Sequence, residues 1–143
     1  MTFFYCELSP AIRSIGWIRA GHDPALTYDP DTDTFDVLKG DGMAVGVDYS
    51  FEYEEFQCTL TPGEVVLIGT DGIWEMRNET GEMYGKERLK DIIRTNYSAT
   101  AKEIVTMITD NLKRFRGSKQ PEDDVTMVVI KVKNDRQPKI GTT

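Results

Sequence analysis

The sequence predicts an α+β domain with a mostly antiparallel sheet. Three observations predict it: short β-favouring segments fill the first half, two segments of helical periodicity follow, and one more apolar strand comes after them. A length of 143 residues is one domain's worth of chain, enough to bury a core without disulfides or metal staples. Hydrophobic residues at 39% and charged residues at 29% match a folded globular protein rather than a disordered one.

The elements read in order. Thr2–Leu8 is rich in aromatic and β-favouring residues, and Ser14–Ala20 beyond the turn pair Ser9-Pro10 makes it a hairpin. A core strand that opens at residue 2 with no leading loop suggests a chain cut from a longer one. Ala20–Pro24 is a turn-rich break holding the single histidine, His22. Ala25–Tyr28 and Phe35–Leu38 are short strands around Asp29–Thr34. Asp29, Asp31 and Asp33 have the 1, 3, 5 spacing of a calcium loop, but Thr34 stands where Gly is required and Gly40 where a bidentate Glu is required, so a solvated hairpin loop is expected.

Gly40–Val47 has three glycines but neither the Lys-Ser/Thr of a P-loop nor the glycine spacing of a dinucleotide turn, and reads as a connection. Phe51–Leu60 alternates Phe56, Cys58 and Leu60 against polar neighbours and predicts a strand. Lys86–Tyr97 places Leu89, Ile92 and Ile93 on one helical face. Ala101–Phe115 keeps i, i+3, i+4, i+7 spacing through Ala101, Ile104, Val105, Ile108, Leu112 and Phe115. Thr100 and Glu103 are spaced as a capping box at its start, and Gly117 is placed to end it. The polar stretch 134–143 is expected to be a frayed tail after a domain spanning 1–133.

Composition excludes several function classes. The net charge of -7 leaves no basic face for nucleic acid. The run from Lys113 to Lys119 sits at a helix end, where cations are favoured by the helix dipole. No apolar run reaches transmembrane length and no signal peptide is visible, so a cytoplasmic location is expected. Cys6 and Cys58 fall in strands, as small buried thiols do, and fit a reducing compartment.

The stretch that organises the chain is Val65–Glu75. Val65–Thr70 reads as a fully buried strand after the turn pair Pro62-Gly63, and it delivers Asp71 followed by Gly72, which lets the backbone turn and a ligand approach closely. Downstream, Glu122-Asp123-Asp124-Val125 leads into the apolar strand Thr126–Val132. If the two strands lie antiparallel and adjacent, Asp71 and Asp123 meet at one rim of the sheet, and hard oxygen ligands there suit Mg²⁺ or Mn²⁺. Taken alone, an Asp-Gly after a strand is most often only a turn, and acids before a strand are usually solvated loop residues.

In order along the chain, Met1–Tyr5, Trp17–Pro24, Gly63–Leu67, Gly69–Glu75, Tyr84-Gly85 before a helix, and Asp123–Thr126 resemble the C-terminal part of the metal-dependent protein phosphatases (PPM family), in the bacterial SpoIIE-like branch. The resemblance implies two antiparallel sheets between helices, an α-β-β-α sandwich, with acidic residues at one end holding two Mn²⁺ or Mg²⁺ ions. It implies Asp71 and Asp123 as metal ligands, with no catalytic side chain beyond the ligands. Gly72, Asp124 and His22 are then supporting residues around the site. Asp124 and Asp23 stand where relatives have Asn. The family's N-terminal half carries an acidic residue and an Asp-Gly pair that bridge the metals, and nothing here corresponds to them.

The implied activity is hydrolysis of phosphoserine or phosphothreonine in a regulatory protein. Phosphate monoesters have very high uncatalysed barriers, and divalent cations both activate water and neutralise phosphoryl oxygens. The implied partners are a phosphorylated protein such as an anti-sigma-factor antagonist, and an upstream sensory or receiver domain. The missing bridging ligands also admit a non-catalytic, phosphatase-like binding domain.

Overall fold

The computed structural model describes residues 1–40 and 42–134. Seven strands and two helices follow in order: β1 Phe3–Ser9, β2 Ser14–Ala20, β3 Ala25–Asp29, β4 Thr34–Leu38, β5 Phe56–Thr59, β6 Val65–Gly69, α1 Lys86–Asn96, α2 Ala101–Arg116 and β7 Met127–Lys131. They form a three-stranded sheet, β1-β2-β5, and a four-stranded sheet, β4-β3-β6-β7, with every pairing antiparallel. The α+β expectation holds.

Two apolar cores define the layers. Val65 and Leu67 of β6 and Tyr28 of β3 pack against Leu89, Ile93, Ile104, Ile108 and Leu112, so α1 and α2 cover one face of the four-stranded sheet. The alternate residue Val66 turns the other way, joining Ile15, Trp17, Ala25, Leu38 and Leu60 between the two sheets. A strand buried on both faces must be apolar throughout, which explains the unbroken Val-Val-Leu-Ile of β6. Ile104 and Ile108, both at 0% exposure, each stabilise the helical layer by about 1.5–3 kcal/mol through burial.

Helix α2 begins in the expected capping box. The Glu103 amide donates to Thr100 Oγ1 at 3.3 Å and the Thr100 amide donates to Glu103 Oε2 at 2.8 Å. Gly117 ends it with φ of 66°, its N–H returning to the Lys113 carbonyl at 3.2 Å. The acidic loop between β3 and β4 is a hairpin as expected, yet Asp33 does more than face solvent. It accepts from the Tyr28 hydroxyl at 3.0 Å and from Arg94 Nε at 2.8 Å, tying the hairpin to α1.

One strand is shorter than its alternation predicts. The ladder to β2 covers only Phe56–Thr59. Upstream, Arg19 Nε donates to the Gly40 carbonyl at 2.8 Å, and a Cβ on Gly40 would lie 3.0 Å from the Phe56 ring. Phe51 and Tyr53 instead pack edge-on at 4.9 Å, with Tyr53 OH donating to the Met43 carbonyl at 3.1 Å. After β6, Asp71–Trp74 form a single turn closed by the Glu75 amide donating to the Asp71 carbonyl at 2.8 Å. Cys6 and Cys58 are free and pack in the core between the sheets, and burial pushes both thiols up. Among the predicted tail residues, 135–143 lie outside the described residues.

Glu64, only 8% exposed, closes the turn into β6 by accepting from the Thr61 amide at 2.7 Å. Burial pushes its carboxyl up, against the pull of the Thr61 hydrogen bonds. A carboxyl whose folded pKa is raised loses stability as pH climbs from its unfolded value, about 4.3, towards the folded one. Glu64→Gln keeps an acceptor for Thr61 and removes that ionisation. Its thermal unfolding is therefore expected to lose the part of the pH slope that wild type shows above the ordinary carboxylate range.

Candidate functional site

The site is built where β6 ends and β7 begins. Their register runs Val65 opposite Lys131 to Gly69 opposite Met127, so the residues after Gly69 meet those before Met127. The junction is locked by Thr70. Its amide donates to the Thr126 carbonyl at 3.1 Å, its hydroxyl donates to the Asp124 carbonyl at 2.9 Å, and the same Oγ1 accepts from the Thr126 amide at 3.1 Å. Gly72 then runs so close to the other segment that a Cβ there would lie 2.4 Å from the Asp124 carbonyl oxygen. The glycine is needed for close approach rather than for a left-handed conformation.

Behind this rim, Ile73 is fully buried in the helical core, and the Glu75 amide donates to the Asp71 carbonyl at 2.8 Å. The turn is thus anchored from below while its carboxylate stays exposed. The expectation that the two strands are antiparallel neighbours, with Asp71 and Asp123 at one rim, holds at the level of the backbone. The two residues line different cavities. Asp71 lines one of about 110 Å³ with Thr2, Gly21, His22 and Asp23. Asp123 lines another of about 210 Å³ with Gly72, Glu75, Arg77 and Glu122, and its Oδ1 accepts from the Asp124 amide at 2.7 Å. Among the described residues, no three His, Cys, Asp or Glu side chains gather as a metal-binding group.

The supporting residues fall as follows. Asp124 acts through its backbone carbonyl, which receives the Thr70 hydroxyl. His22 shares the cavity of Asp71; its Nδ1 donates to the Asp23 carbonyl at 2.9 Å and its ring meets Phe4 at 6.2 Å. Arg19 braces that turn, donating from Nη1 to the His22 carbonyl at 2.9 Å. Asp23 reaches outward to Lys86 at 3.0 Å, a half-exposed pair of little energetic weight. Thr70 and Arg19 were not singled out by sequence reading. Thr70 stood inside the Thr-Asp-Gly motif, but its partners are 54 and 56 residues away.

Two face-to-face antiparallel sheets with helices over one of them make three layers of the four expected of an α-β-β-α sandwich, and solved phosphatase domains share them. The phosphatase domain of the cell fate determinant SpoIIE from Bacillus subtilis, solved from Mn-presoaked material, shares this fold with a TM-score of 0.69 at 20% identity, over 96% of this chain and 59% of that one. RsbX in complex with magnesium gives a TM-score of 0.58 at 15% identity, over 90% of this chain and 54% of that one. Residues 1–133 match the family described as Stage II sporulation protein E (SpoIIE), and the chain belongs to that family. It is 28% identical over 133 residues to phosphoserine phosphatase RsbU of Bacillus subtilis (strain 168), covering 93% of this chain. It spans 39% of the length of that relative.

Gly72→Ala is expected to force the Asp123-Asp124 segment away from β6. An overpacking cost of about 1–3 kcal/mol should appear as a lower midpoint in urea unfolding.

Proposed function

We propose that this chain is the C-terminal portion of a metal-dependent protein phosphatase domain that hydrolyses phosphoserine or phosphothreonine in a regulatory protein. What carries the reading is the junction that brings the Asp71 and Asp123 segments together, in a chain belonging to the SpoIIE family. The donor set fits a hard cation in kind: both carboxylates are exposed, at the edge of a rigid core, and neither sits in a thiol or imidazole cluster suited to softer metals. In number it fits only as part of a ligand set, with further acids to come from outside these residues.

Asp71 and Asp123 are the residues that would hold Mn²⁺ or Mg²⁺. When bound, such ions supply a nucleophilic hydroxide near neutral pH and neutralise phosphoryl oxygens during in-line attack. The chain's own contribution is positional. Thr70 and Gly72 hold the carboxylate-bearing segments against each other, and the buried Ile73 keeps the turn from shifting.

By analogy with its relatives, the substrate is a phosphorylated anti-sigma-factor antagonist, and a sensory or receiver domain lies upstream. No helix among the described residues is long and apolar enough to cross a membrane, and the two unpaired cysteines suit a cytoplasmic setting. A second reading, a non-catalytic phosphatase-like binding domain, draws on the lack of counterparts in this sequence to the family's bridging acid and Asp-Gly pair.

One experiment separates the two. In the full-length polypeptide, Asp71→Asn is expected to lower Mn²⁺-dependent phosphate release by at least the roughly hundredfold lost when a metal site is disturbed. Activity retained in that variant removes the assignment of Asp71, and no activity in the wild type favours the binding domain. Residues 1–143 alone are expected to turn over para-nitrophenyl phosphate little or not at all.

A further inference from the structure

The segment between Gly42 and Glu55 is not absorbed by the fold or by the candidate metal rim. It has no helix or strand, yet it is stitched to one edge of the Asp71 cavity. Val45 exchanges backbone hydrogen bonds with Met1, its amide donating at 2.8 Å and its carbonyl accepting at 3.1 Å, and the next residue, Thr2, lines that cavity. Beside it at the same sheet edge, a Cβ on Gly42 would lie 2.7 Å from the Gly21 amide, and one on Gly21 would lie 3.1 Å from Ala44. The base of the segment is therefore held against the edge of the β1–β2 hairpin that lines the cavity.

Beyond that base the side chains divide. Phe51 and Tyr53 pack on each other and serve the segment itself. Val45, Val47 and Tyr49 do not: they are 40%, 69% and fully exposed. Asp48 fixes the tip by accepting from the Ser50 amide at 2.8 Å and the Ser50 hydroxyl at 2.7 Å, bonds that hold its carboxyl below the usual range and so keep it charged. From residue 42 to 55 the chain carries Asp48, Glu52, Glu54 and Glu55 and no Lys or Arg. An apolar tip within a wholly acidic stretch complements a surface that is apolar and basic.

We propose that the 42–55 segment is the docking element for the protein substrate, receiving apolar and basic side chains that flank the phosphorylated residue while that residue enters beside Asp71. This rests on the phosphatase reading above and adds the chemistry of the substrate's surface. A small phosphate ester has nothing to place against Val47 and Tyr49, so the segment discriminates among protein substrates without changing turnover of small ones.

The test uses the full-length polypeptide and two phosphoserine peptides, one flanked by Leu and Lys and one by Gly and Ser, with para-nitrophenyl phosphate as the small substrate. Wild type is expected to favour the Leu/Lys peptide by about tenfold in kcat/KM, as one well-buried apolar contact yields. The double variant Val47→Ser/Tyr49→Ser is expected to lose that preference while hydrolysing para-nitrophenyl phosphate at the wild-type rate. Equal use of both peptides by wild type, or an undiminished preference in the variant, overturns the proposal. Fluorescence anisotropy of the same labelled peptides without metal separates the two readings. Preferential binding of the Leu/Lys peptide that Val47→Ser/Tyr49→Ser removes upholds docking even if no hydrolysis is seen, whereas equal binding overturns it. A wild-type dimer in sedimentation that the double variant abolishes would assign the tip to a second copy and likewise overturn it.

Discussion

The rim of this domain depends on one hydroxyl. Thr70 Oγ1 donates to the Asp124 carbonyl and accepts from the Thr126 amide, which makes it the joint between a buried strand and the segment that leads into its neighbour. A Thr side chain suits this task because one oxygen both gives and receives, satisfying a backbone carbonyl and a backbone amide that would otherwise be left at the end of a ladder. The joint ends the β6–β7 pairing and at the same time brings two carboxylate-bearing turns within one short stretch of surface. Gly72 completes it by presenting nothing that would hold the Asp124 carbonyl away.

The layers behind the rim explain why it can be held rigidly. β6 is buried on both faces, with Val65 and Leu67 against the helices and Val66 against the other sheet. Tight packing on two sides leaves the strand little freedom to slide or twist. Ile73, four residues past the end of the helix-facing row at Gly69, carries that constraint into the turn by burying itself in the helical core. The backbone of Asp71 is thus anchored on both sides while its carboxylate stays exposed.

The Asp71 cavity is assembled from strand ends that lie far apart in the chain. Thr2 comes from just before β1, Gly21 and His22 from just after β2, and Thr70 and Asp71 from the turn that follows β6. Arg19 links two of the surrounding pieces by donating to the carbonyls of both Gly40 and His22. The guanidinium has several donors in one plane, so it can bridge two backbone segments that no single hydrogen bond would join. The segment from Gly42 is held beside the cavity by the backbone bonds between Val45 and Met1, and its acidic, apolar tip is left exposed.

Local rules were enough for much of this molecule. Aromatic and β-favouring composition around a Ser-Pro turn marked the first hairpin, the Thr100–Glu103 spacing marked the start of α2, and an unbroken apolar run marked β6 as a fully buried strand. Each depends on residues within a few positions of one another, and such spacing is written in the chain. The length of β5 was not legible, because Phe51 and Tyr53 pack on each other and Tyr53 bonds the Met43 carbonyl instead of continuing the ladder to β2. The division of Asp71 and Asp123 between different cavities, the use of the Asp124 carbonyl rather than its carboxylate, and the dependence of both on Thr70 were decided by tertiary structure alone. Motif spacing brings segments to the same edge; the direction of each side chain there is set by contacts across more than fifty residues, which no local pattern encodes.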